Sequence, residues 1–101
     1  MTNKCIGEEN IFIEEGAKVE FSILNATNGP IYIGKNSEVM EGCMIRGPFA
    51  LCEESQLKMG AKIYGPVTIG PHSRVGGEVT YSVFLGYANK AHDGFLGHSV
   101  I

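Results

Sequence analysis

The chain has 101 residues, of which 44% are hydrophobic and only 19% charged, with 14 glycines and a formal net charge of −3. The charged share falls below the ~25% of ordinary globular chains and the glycine share is about twice the usual ~7%, which excludes a disordered tail or a charged helical bundle and favours short strands with tight turns. Five acids (Glu8, Glu9, Glu14, Glu15 and Glu20) face Lys4 and Lys18 in the first twenty residues, and the remainder is neutral, so no basic stripe exists for nucleic acid or an anionic membrane.

At the start, Met1 to Asn10 lacks the apolar core of a signal peptide, which makes a cytoplasmic location the expectation. The longest uncharged stretch, Phe21 to Gly34, is too short to span a bilayer and contains Asn25, Asn28, Gly29 and Pro30. Cys5, Cys43 and Cys52 form no Cys-x-x-Cys pair, so reduced thiols are expected rather than a disulfide framework or a zinc knuckle. Asn25-Ala26-Thr27 fits a glycosylation acceptor, but Met1 to Asn10 does not read as a secretory signal, so a glycan there is not expected.

A six-residue repeat decides the fold class. It begins with Ile13 and Val19, whose inward partners four residues on are read as Ala17 and Ile23. The next register point, Thr27, comes after eight residues, so two extra residues are expected to bulge between Glu20 and Ala26. From Ile33 the register is unbroken through Val39, Ile45, Leu51, Leu57, Ile63, Ile69, Val75 and Tyr81. The fourth residue after each is mostly small or apolar: Ser37, Cys43, Phe49, Ser55, Ala61, Val67, Ser73 and Val79. Between them stand pairs such as Lys35-Asn36, Glu41-Gly42, Met59-Gly60 and Pro71-His72, mostly turn chemistry.

Above the period of six lies one of eighteen: Gly29-Pro30, Gly47-Pro48 and Gly65-Pro66, and likewise Ser37, Ser55 and Ser73. Three hexapeptides therefore close one coil, and like residues stack on like. The expectation is an all-β chain forming one domain over residues 1–101, a triangular parallel β-helix of about five coils with strands ~4.8 Å apart. Helix is refused by Gly and Pro every few residues. After Tyr81 the register fails; Leu85-Gly86 and Leu96-Gly97 read as further hexapeptide starts, and the residues between them are expected to leave the wall, where function tends to reside.

The aliphatic-Gly-x-x-small-x form resembles the left-handed parallel β-helix acyltransferases, and the left hand is implied by that resemblance alone. Residues 47–101 carry a closer likeness. Gly47-Pro48-Phe49-Ala50, Val75-Gly76, Leu85-Gly86, Lys90, His92 and Leu96-Gly97 resemble the acetyltransferase region of the bifunctional N-acetylglucosamine-1-phosphate uridylyltransferases. Gly76-Gly77-Glu78-Val79 and the run from Asn89 to Gly97 are similar to related sugar-1-phosphate nucleotidyltransferases. The resemblance implies a homotrimer with its site between subunits, His92 as general base toward a sugar amine, Lys90 as a sugar-phosphate contact, and acetyl-CoA as donor in the full-length protein. Three positions depart from the family pattern: Leu51 stands where the family has a phosphate-gripping Arg, Ser82 where it has a lysine pair, and Phe95 where it has a substrate-binding Tyr. The nucleotidyl-transfer half, with its Gly-rich phosphate loop, has no counterpart here, and Ile101 falls in mid-repeat, so the chain reads as a piece of a longer enzyme that by itself carries no cofactor.

Two other readings stand beside this one. One is a purely structural solenoid that drives oligomerisation. The other is a trimeric zinc hydratase using His72, His92 and His98; their spacings are twenty and six, and a six-residue step puts like positions on adjacent faces that point apart unless the loop bends them together. His72 and His98 are expected at corners, and Cys43 in the core rather than as a nucleophile.

Overall fold

The computed structural model describes residues 3–84, 89–90 and 95–97, with side chains described for residues 3–80. Fourteen short strands follow one another in it: β1 (Lys4–Ile6), β2 (Ile11–Ile13), β3 (Lys18–Val19), β4 (Ile23–Asn25), β5 (Ile31–Ile33), β6 (Glu38–Val39) and β7 (Met44–Arg46). Then come β8 (Phe49–Leu51), β9 (Gln56–Leu57), β10 (Lys62–Ile69), β11 (Arg74–Val75), β12 (Glu78–Phe84), β13 (Asn89–Lys90) and β14 (Phe95–Gly97). A single 3-10 turn, Glu8–Asn10, is the one helical element among the described residues, and no helix there is long and apolar enough to cross a membrane.

Every strand pairing is parallel, and every partner lies one coil away. Three flat faces result. The first stacks β1, β4, β7, the start of β10, the start of β12, and β14. The second stacks β2, β5, β8 and the ends of β10 and β12. The third stacks β3, β6, β9, β11 and β13. The chain is thus a β-solenoid, as the periodicity requires. Four coils are complete by Val75, against about five expected, and β12 to β14 continue the stack.

The inward rows are the hexapeptide positions. Ile33, Val39, Ile45, Leu51, Leu57, Ile63, Ile69 and Val75 are all buried, as are Ser37, Cys43, Phe49, Ser55, Ala61, Val67, Ser73 and Val79. Stacking turns them into continuous rods, such as Leu24–Ile45–Ile63–Val79 behind the first face and Val19–Val39–Leu57–Val75 behind the third. Each aliphatic member contributes about 1.5–3 kcal/mol by leaving water.

Small polar residues stack too. Ser37 Oγ donates to the Cys52 carbonyl at 2.6 Å and accepts the Ser55 N–H at 3.2 Å. Ser55 Oγ repeats the pattern one coil on, donating to the Gly70 carbonyl at 2.9 Å and accepting the Ser73 N–H at 3.0 Å. Buried turn backbone that the sheets leave unpaired is satisfied by this column.

The corners turn through left-handed residues. Between the second and third faces these are Gly16, Asn36, Glu54 and His72, stacked coil on coil with φ from 54° to 80°. Asn and His are among the side chains that enter that region most readily, whereas Glu accepts strain there. Between the third and first faces the matching residues are Phe21, Gly42, Gly60 and Gly77.

Two expectations need correction. Ile23 points outward and is 41% exposed, while Leu24 takes the inward place at 0%. The extra residues do not bulge between Glu20 and Ala26. That corner is the shorter one, with Glu20 to Ser22 between β3 and β4 where Met40 to Cys43 separate the equivalent strands of the next coil. The surplus lies at the following corner, Ala26 to Pro30, whose counterpart one coil on is Gly47-Pro48 alone. The cause is local: Phe21 adopts φ 54°, which turns the chain a residue early and hands the buried small position to Ser22. Ile13 does keep its register beside Ile33 but is half exposed, lying in the first coil of the stack.

Candidate functional site

The outward residues give the three faces different characters. On the second face the strands Ile11–Ile13, Ile31–Ile33, Phe49–Leu51, the Val67–Ile69 stretch of β10 and the Ser82–Phe84 stretch of β12 contain no charged residue. Phe12, Tyr32, Ala50 and Thr68 form its outward column, and Tyr32, Pro48, Ala50, Pro66 and Thr68 line a shallow hollow of about 210 Å³. On the third face the outward column is wholly polar: Lys18, Glu38, Gln56, Arg74. Gln56 Nε2 donates to Glu38 Oε1 at 3.4 Å, and His72 Nδ1 lies 3.4 Å from Glu54 Oε1 at the adjoining corner. These groups, with Asn36, line a polar hollow of about 370 Å³.

The first face is mixed. Its two outward columns over coils two to four are Ile23–Met44–Lys62 and Asn25–Arg46–Tyr64. They bound a groove of about 430 Å³. Met44 is 48% exposed, Tyr64 38%, and the Arg46 and Lys62 side chains are exposed as well. Sequence reading missed this groove, although the eighteen-residue repeat already stacks Met44 on Lys62 and Arg46 on Tyr64.

The residues singled out from the sequence divide between the described part and the rest. His92 and His98 lie outside the described residues. Lys90 falls in β13, its backbone in register with Val75; Ser82 pairs with Val67 and Phe95 with Glu78, and the side chains of all three lie outside the described set. Leu51 is 0% exposed in the core of the second face, so that position offers no phosphate ligand. His72 stands at a corner, as expected, paired with Glu54. Among the described residues no three His, Cys, Asp or Glu side chains come together as a metal site.

The thiols are structural in character. Burial is the main force raising the Cys43 pKa above its ordinary value, partly opposed by backbone hydrogen bonds. Burial likewise raises Cys5 and Cys52, with Glu8 and Glu53 adding repulsion of the thiolate. Among the described residues no disulfide forms. A thiolate nucleophile needs the opposite environment.

Compared with known proteins, the chain matches no family model, no curated protein and no solved structure.

Proposed function

We propose that this solenoid is the acyltransferase-type module of a sugar-1-phosphate nucleotidyltransferase, assembled as a homotrimer. The observation that carries the reading is the uncharged second face. It runs from β2 to β12, and β8 with the ends of β10 and β12 falls in the stretch 47–101 that resembles that family. An uncharged sheet face with exposed Phe12 and Tyr32 favours contact with protein over contact with water. In this reading His92 takes the proton from a sugar amine as its nitrogen attacks the thioester carbonyl of acetyl-CoA, the thiolate leaves, and Lys90 contacts the sugar phosphate. The reading supposes that both substrates meet in a cleft between subunits.

A second reading, a solenoid that assembles without acyl chemistry, is favoured by Leu51, an apolar and fully buried side chain where the resembled family has its phosphate-gripping Arg. One pair of measurements separates them. Light scattering over a tenfold concentration range should return a trimer, and Ala50→Lys should dissociate it. Acetyl transfer from acetyl-CoA to glucosamine-1-phosphate by the enzyme carrying this module should fall at least ~100-fold on His92→Ala with the mass unchanged. A trimer without transfer selects the structural reading. A monomer at all concentrations overturns both.

A further inference from the structure

The first-face groove pairs its outward residues on two diagonals. Met44 and Arg46 project from β7 two residues apart, and Lys62 and Tyr64 project from β10 beside them. Arg46 and Lys62 therefore occupy one diagonal and Met44 and Tyr64 the other. With strands ~4.8 Å apart and ~6.6 Å between alternate residues, the two cations root about 8 Å from one another. Their side chains are long enough to close on one phosphate, the guanidinium in a two-pronged grip and the ammonium as a point charge. The phenol ring and the thioether offer a flat apolar seat next to it, the arrangement on which nucleic bases stack.

The charge setting supports an anion. The chain is net negative, yet no carboxylate lines this groove. Among the described residues neither Arg46 nor Lys62 makes an ion pair with a carboxylate. Glu78, the neighbour of Lys62 on the next strand, is not part of the lining. The third-face hollow differs on this point, because Glu38 and Glu54 share it with Arg74 and His72. The volume of about 430 Å³ also lies within the ~300–1,000 Å³ of ordinary small-molecule sites.

We propose that the first face binds a nucleoside phosphate, its phosphate between Arg46 and Lys62 and its base against Tyr64 and Met44. This site is separate from the acyl-transfer reading and stands or falls without it. The test is a titration of the chain with uridine monophosphate, read by amide chemical shifts, with uridine and inorganic phosphate as the two part-ligands. The nucleotide should shift the amides of residues 44–46 and 62–64 and bind at least ~10-fold more tightly than either part. Arg46→Ala and Tyr64→Ala should each weaken it about 10-fold, Tyr64→Phe should preserve it, and Arg74→Ala on the third face should leave it unchanged. Phosphate binding as tightly as the nucleotide, uridine doing so, undiminished affinity in Arg46→Ala, or shifts confined to the third face would each overturn the proposal.

Discussion

The second and third faces of the solenoid rest on the same kind of inward row, yet they meet the surroundings in opposite ways. Behind the second face lie Ile33, Leu51 and Ile69; behind the third lie Val39, Leu57 and Val75, all of them buried. Outward, the second face shows Phe12, Tyr32, Ala50 and Thr68, whereas the third shows Lys18, Glu38, Gln56 and Arg74. The inward residues specify the coil, and the outward ones are free to specify its company. Because successive side chains of a strand alternate sides, the two messages are written in the same triplets without interfering.

The largest effects should fall on what the two faces share. Leu51→Ala and Leu57→Ala each empty a fully buried site, and both should cost about 2–5 kcal/mol in chemical denaturation. A large gap between the two would show that the faces do not contribute alike to the core. Gly34→Ala, at the corner joining the faces, should cost about 1–3 kcal/mol, because the added methyl lands 2.8 Å from the backbone of Leu51, Cys52 and Glu53 one coil away. Gly60→Ala has nothing within 4 Å and should cost only the strain of φ 74°, about 1–2 kcal/mol. Ser55→Ala removes the acceptor of the Ser73 N–H and the donor to the Gly70 carbonyl, for about 1–2 kcal/mol by thermal melting.

Ala50→Lys and Gln56→Lys should each move stability by no more than about 0.5 kcal/mol, being outward on the sheet. Their contrast lies in association: the first should lower the solution mass and the second leave it untouched. Equal behaviour would remove the second face as a contact surface. Smallest is the pH effect. Burial raises Cys43 above its ordinary pKa of 9.0, so in the window that opens at about pH 9 the unfolded chain holds fewer protons than the native one. Stability therefore falls as pH rises through that window, and Cys43→Ala, which copies Ala61 of the next coil, should flatten the decline.

The inward rows were legible because burial imposes a period, and every position from Ile33 to Val79 read from that period is buried. Ile23 was misread because the period assumes corners of constant length. Corner length is set by single residues in left-handed backbone, and nothing in a hexapeptide count marks Phe21 as one of them. The first-face groove escaped for a related reason. Outward positions obey no burial rule, so Met44, Arg46, Lys62 and Tyr64 show only as pairs two apart, repeated after eighteen residues. His92 and Lys90 rest on resemblance, since no packing constraint singles them out.

Among the described residues each coil pairs with the coil above and the coil below, and the ladders are strung along one axis. Cooperativity is therefore ordered along that axis and not radially. Amide hydrogens of the middle coils, those of Ile33, Leu51 and Leu57 among them, should exchange with solvent slowest, and protection should fade coil by coil toward β1. A tether pulling on that end would meet a series of small barriers, one per coil, in place of a single large one.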